Sequence, residues 1–213
     1  MNRLSVTIRI WLLTLILCVV AVTLSFWRAD LPIALYCSQF TRQLNILGKG
    51  LASAVILSGE AIVVMALVLA RLIRGKISPV AETLAVACLT SMCAYGINSS
   101  VLKLYFGVAD PADVMHGSKH AFNLLKGSSD SSFPSGHMVL AAAFAGVFMR
   151  LYRVSIWPLS IFLLFGACLL IVGDWHFLSD VIAGTFLGAT VGLLAGELWK
   201  VHSGRNADLG RPN

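Results

Sequence analysis

Apolar residues in this chain come in long unbroken blocks. They follow neither the i, i+3, i+4 stripe of a surface helix nor the alternation of a half-buried strand. A helix that is apolar all round is one buried on every side. Six blocks approach or reach the roughly 20 residues needed to cross a hydrocarbon layer. They run over Ile10–Trp27, Leu51–Ala70, Thr83–Leu102, Ser135–Met149, Val154–Gly173 and Asp180–Trp199. The third and fifth carry no charge, and the second carries one acid, Glu60. The pattern predicts an all-α integral membrane protein with six transmembrane helices, one membrane domain over residues 1–213.

Composition sharpens this picture. Of 213 residues, 58% are hydrophobic and 12% charged, with a mean hydropathy of +0.84. Soluble domains carry about 45–50% apolar and about 25% charged residues. So few charges cannot coat a water-soluble globule, and so apolar a chain is not disordered. The cysteines Cys18, Cys37, Cys88, Cys93 and Cys168 fall mostly within apolar blocks. They read as small packing residues, not as a disulfide framework.

The net charge is +6, from 16 Lys+Arg against 10 Asp+Glu. In a membrane protein such a surplus reports topology, not nucleic-acid binding. Six spans place both termini on one side. If that side is cytoplasmic, ten basic residues lie inside (Arg3, Arg9, Arg71, Arg74, Lys76, Arg150, Arg153, Lys200, Arg205, Arg211) and six outside (Arg28, Arg42, Lys49, Lys103, Lys119, Lys126). The second–third turn holds Arg71, Arg74 and Lys76, while the fifth–sixth turn holds no Lys or Arg. Both counts predict cytoplasmic N and C termini. The first block follows Arg3 and Arg9 and is trailed by no small-x-small cleavage site, so it reads as an uncleaved anchor. Residues 28–50 are expected as a first outside loop, whose apolar stretch Leu31–Phe40 lies in the interface or re-enters the bilayer. Residues 103–134 are expected as a long polar second outside loop, and 202–213 as a cytoplasmic tail.

Candidate chemistry gathers at the outer mouth, where Lys103, Asp110, Asp113, His116, Lys119, His120, Lys126, Asp130, Ser135, His137, Asp174, His176 and Asp180 all fall. Ser135-Gly136-His137 runs straight into an apolar helix. A serine cap, free backbone N–H groups and a glycine without a side chain form an anion cradle. A plain helix cap with a snorkelling histidine fits the same residues equally well. His176 and Asp180 stand at i, i+4, facing each other on a helix. The carboxylate can fix the imidazole tautomer and leave the other nitrogen nucleophilic, or the pair can simply cap the sixth span. Lys103 is either a phosphate-binding point charge or a lysine snorkelling to headgroups. His116 and His120 share metal-ligand spacing, but no further ligand pattern completes a site. Glu60 reads as an intramembrane acid serving helix contacts.

Taken in order, Lys103, then Pro134-Ser135-Gly136-His137, then His176-x3-Asp180 resembles the type 2 phosphatidic acid phosphatase superfamily, the lipid phosphate phosphatases. Vanadium haloperoxidases and bacterial acid phosphatases share its core. The resemblance covers about Lys103 to Asp180. It implies that His176 attacks phosphorus to form a phosphohistidine, that Asp180 orients His176, and that His137 protonates the leaving oxygen. Lys103, Ser135 and the Gly136 amide would hold the phosphoryl oxygens, and neither metal nor cofactor is required. Two departures stand out. The first motif ends in Asp110-Pro111 where the family carries Arg-Pro, and Leu170 occupies the arginine position six residues before His176. Losing one well-placed donor to a transition-state anion costs about 3–4 kcal/mol. Lys119, Lys126, His116 and His120 are candidate substitutes.

The resemblance implies a phosphatase of the inner membrane working at its outer face. Its substrate would be a phospholipid such as phosphatidic acid or phosphatidylglycerol phosphate, a polyprenyl diphosphate, or a lipid A phosphate. A phosphotransferase of the same superfamily and a catalytically degenerate lipid-binding member are the alternatives. A transporter lacks support, because no inverted repeat is visible.

Overall fold

The computed structural model describes residues 3–41 and 49–204. Among them every regular element is helical: α1 (Arg3–Leu24), α2 (Asp30–Thr41), α3 (Lys49–Arg74), α4 (Pro79–Ile97), the short α5 (Lys103–Phe106) and α6 (Pro111–Met115), α7 (Gly136–Leu151), α8 (Ile156–Val172) and α9 (Leu178–His202). Five helical stretches are long and apolar enough to cross a membrane: Val6–Phe40, Leu51–Arg74, Pro79–Met115, Arg153–Val172 and Leu178–His202. The expected fourth span is α7, whose 16 residues cover about 24 Å. That falls short of a full crossing, and α7 is the inner helix of the bundle, with nine buried residues and packing against α4, α8 and α9.

The α7–α9 interface rests on small residues. Gly184, Gly188, Gly192 and Gly196 recur at every fourth position of α9 and are all buried. A Cβ at Gly184 would sit 2.5 Å from the Ser135 carbonyl oxygen, and one at Gly188 2.5 Å from that of Val139. Gly146 of α7 answers from the other side, its would-be Cβ 3.0 Å from the Gly192 Cα. In lipid, where apolar side chains gain little by meeting each other, such close backbone approach is what holds helices together.

Two wide π turns interrupt the long helices. Ser25–Ala29 joins α1 to α2, and Asn98–Leu102 joins α4 to α5. Each inserts an extra residue into the ladder and so rotates the downstream helix by about 100°. The residue immediately after each turn is a buried charge, Asp30 in one case and Lys103 in the other. The segment expected as a first outside loop, 28–50, is thus helical through Thr41, and residues 42–48 lie outside the described residues. Pro32 does not break it, because the wide turn just upstream relieves the crowding a helical proline imposes four residues back.

The expected second outside loop, 103–134, begins with α5 and contains α6. It is anchored by Phe106, Val108 and Phe133, which cluster with Phe26 of the first π turn. At the far end of the bundle Arg71 of α3 pairs with Glu82 of α4 at 3.3 Å, and Arg150 of α7 pairs with Glu197 of α9.

Candidate functional site

α7 and α9 both start at one end of the molecule and run the same way, so their N-termini meet. The chain enters α7 through the loop Ser131–Ser135, with a cis bond at Phe133–Pro134. Asn98, fully buried in the second π turn, donates to the Pro134 carbonyl at 3.2 Å. Ser135 caps α7 by accepting from the Met138 amide at 3.4 Å, and its own amide donates to the Asp180 carbonyl at 3.0 Å. Gly136 faces a close neighbour: a Cβ there would lie 2.8 Å from the Tyr95 ring, which would have to shift.

His176 is 2% exposed. The turn that carries it is folded back on Leu170, whose carbonyl accepts from the Trp175 amide at 3.0 Å and the His176 amide at 3.3 Å. Nδ1 of His176 lies 3.2 Å from Ser132 Oγ and 3.5 Å from Asp180 Oδ2. Ser132 in turn donates to Asp180 Oδ2, and the Phe177 amide donates to the same oxygen at 2.9 Å. With Asp180 ionised and His176 neutral, Ser132 gives its one proton to the carboxylate and accepts from Nδ1–H of His176, an assignment that puts the His176 lone pair on Nε2. That nitrogen faces Nδ1 of His137 at 3.3 Å, and Nε2 of His137 meets Ser53 Oγ of α3 at 3.1 Å. The result is one line of hydrogen-bonded groups, Asp180–Ser132–His176–His137–Ser53, drawn from three stretches of the chain. The sequence pattern singles out neither Ser53 nor Ser132. Ser132 adjoins the Pro-Ser-Gly-His motif, but a serine in a serine-rich loop carries no distinguishing signal, and Ser53 sits in an apolar span far away in sequence.

Lys103 is 6% exposed and donates to the Ser129 carbonyl at 3.2 Å, three residues before Ser132. The remaining sequence candidates lie elsewhere. Lys119, Lys126 and His116 are exposed, and His116 Nδ1 bonds the Ala112 carbonyl at 2.7 Å. Gly117, at φ +106°, ends the α6 turn, so His116 and His120 do not share a helix face despite their spacing. His120 turns inward, with Nε2 3.3 Å from Asp30. Among the described residues no group of three or more His, Cys, Asp and Glu side chains is placed to hold a metal ion. The two positions where arginine is missing have other occupations. Asp110 caps α6 by accepting from the Asp113 amide at 2.9 Å, and Leu170 packs with Met138 and Val181.

Directly beneath His137 lies an apolar cavity of about 410 Å³ between α3, α7 and α8. Ile56, Leu140, Phe144, Leu159 and Phe162 line it, with Glu60. Glu60 accepts from Ser91 of α4 at 2.5 Å, making the helix contact expected of it, and its second oxygen has no hydrogen-bond partner.

A bundle of apolar, membrane-length helices with a His–His–Asp line at one end fits a phosphatase-type membrane protein. The family model of the PAP2 superfamily matches residues 83–202, and the chain belongs to that superfamily. Searches of the curated proteins and of the solved structures each found no significant match. The matched segment contains Lys103, Ser132, His137, His176 and Asp180, whereas Ser53, Phe26 and Asp30 precede it.

Proposed function

We propose that the protein is a membrane-embedded lipid phosphate phosphatase that works through a phosphohistidine on His176. The observation that carries this reading is the hydrogen-bonded line from Asp180 to His137, standing at the mouth of an apolar cavity. Nε2 of His176 attacks phosphorus as the P–O bond to the lipid breaks. His137, as imidazolium, gives its Nδ1 proton to the departing oxygen, while Ser53 accepts from its Nε2–H and holds the ring. Water then attacks the phosphohistidine, with His137 taking its proton. Ser132 and Asp180 support the charge that grows on His176 during attack. A contact of 3.3 Å between the two imidazoles leaves no space for a phosphoryl group, so substrate entry requires His137 to swing aside. Lys103, Ser135 and the Gly136 amide are the phosphate-binding groups of this reading, and Lys119, Lys126 and His116 are the cations left to serve in place of the missing arginines if the loop moves.

The lipid class is argued from the cavity. A chain running down from the phosphate would meet only apolar side chains as far as Glu60, which suits a phospholipid, a polyprenyl diphosphate or a lipid A phosphate. The basic ends of α3 and α7 lie opposite the site, which supports cytoplasmic termini and a site on the outer face of an inner membrane.

The test is phosphate release by the membrane-embedded protein from phosphatidic acid, phosphatidylglycerol phosphate, undecaprenyl pyrophosphate and lipid A phosphates. We expect release from at least one, abolished in His176→Ala at unchanged folding. The structural uses of Asp110 and Leu170 favour a second reading, a degenerate member that binds lipid without turning it over. That reading holds if no lipid loses phosphate and no acceptor lipid gains it. Transfer to an acceptor lipid without release identifies a phosphotransferase.

A further inference from the structure

The first residue after the first π turn, Asp30, is 1% exposed although the helix it opens is largely lipid-facing. Its Oδ1 accepts from the Ser179 amide at 3.0 Å and its Oδ2 from the Ser179 hydroxyl at 2.5 Å. Ser179 is the second residue of α9, so its amide is one of the N–H groups that a helix start leaves without a partner. Asp30 therefore caps α9 from another helix, and its negative charge meets the positive end of the α9 dipole. The companion cap is Asp180, which accepts from the Phe177 amide. Two carboxylates thus grip alternate residues of one turn. Asp180 faces the nucleophile, and Asp30 holds the back of the same turn.

A buried carboxylate with no opposing charge is costly. The Ser179 donors meet that cost on one side, and on the other stands His120, with Nε2 3.3 Å from Asp30 Oδ2 outside hydrogen-bond geometry and side-chain exposures of 5% and 0%. The His120 ring is clamped between Phe26 and Phe177, at centroid distances of 4.2 Å each. Phe177 is the residue that comes directly after His176. The loop after α6 and the N-terminal helix therefore close on Phe177 and Ser179, the two residues interleaved with the catalytic pair.

We propose that Asp30, paired with His120, is a positioning residue that sets the angle at which α9 presents His176 and Asp180 to the phosphoryl group. Asp30 and Phe26 lie outside the family-matched segment, so the N-terminal helix supplies a part of the catalytic geometry that the matched core leaves open. Misplacing a reacting group by about 1 Å costs about 10²-fold in rate. This inference rests on the reading of His176 as the phosphorylated nucleophile.

The test is rapid-quench phosphorylation of the full-length protein by phosphatidic acid in detergent micelles. Amplitude counts competent sites, and the rate constant reports positioning. For Asp30→Ala we expect a rate constant lower by about tenfold or more, with amplitude and KM within about twofold of the parent. Asp30→Asn, which keeps an oxygen for the Ser179 amide, restores most of the rate. His120→Phe, which keeps the stacking, slows the step as well, and the double variant Asp30→Asn with His120→Phe is no slower than the slower single. A lost amplitude at unchanged rate, or no change in either, overturns the proposal. If the parent forms no phosphoenzyme with phosphatidic acid, amide exchange decides whether Asp30 holds the turn. Faster exchange in Asp30→Ala confined to residues 177–181 upholds it, and unchanged exchange there overturns it.

Discussion

At the scale of single residues, the hydroxyl of Ser132 changes how the acid–histidine pair works. Asp180 stands 3.5 Å from His176, a loose contact for a direct hydrogen bond, while Ser132 touches both. On the proposed mechanism, the charge that builds on His176 during attack therefore reaches the carboxylate largely through the serine. Ser132→Ala removes the hydroxyl 3.2 Å from Nδ1 of His176 and leaves the Asp180 oxygen at 3.5 Å. We expect kcat to fall by about 10- to 100-fold with KM little changed, because the lost interaction strengthens only as charge develops. Steady-state phosphate release checks this, and a rise in KM at constant kcat would show that Ser132 serves binding instead. His176-x3-Asp180 and Pro134-Ser135-Gly136-His137 are legible in the sequence because their chemistry is written in local spacing. Ser53, Ser132 and Asp30 are not, because their partners lie 84, 44 and 149 residues away.

At the scale of elements, the glycine row of α9 lets α7 come close enough for two helix N-termini to build one site. Gly188 is a clear case, since any Cβ there strikes the Val139 carbonyl at 2.5 Å and the Ala142 Cβ at 3.0 Å. Gly188→Val should destabilise the protein by about 1–3 kcal/mol and lower the melting temperature in detergent. Gly166→Ala on α8 is the internal control. A Cβ there meets nothing within 4 Å, so helix propensity makes that change neutral to stabilising by up to about 1 kcal/mol. Equal melting temperatures for the two variants would show that the row is not a packing device. α8, apolar all round and with one buried residue, has no such seam, which is why periodicity alone ranks α7, α8 and α9 alike.

At the scale of the whole molecule, charge and chemistry are separated along the bundle. The Arg71–Glu82 and Arg150–Glu197 pairs close one end, and the histidine line occupies the other. On the positive-inside bias, a reporter inserted at exposed Lys119 should read as external and one joined after His202 as cytoplasmic. Alkaline phosphatase and fluorescent-protein fusions measure this directly, and the reverse result would move the site to the cytoplasmic face.

The amino-acid sequence determined that the chain is an apolar helical protein, where most of its long helices fall, and which histidines and carboxylate stand in an order resembling the motifs of the superfamily. These are set by composition and by spacings within a turn or two, which hydrophobicity and helix geometry translate directly. Only the tertiary structure decided how those residues are held. The π turns re-aim Asp30 and Lys103, α3 brings Ser53 to His137, and the α6 loop hands His120 to Asp30 and not to the phosphate side. Each of these depends on two distant segments meeting in one orientation, and a buried polar group finds its partner only when the packing of apolar surfaces has already fixed that orientation.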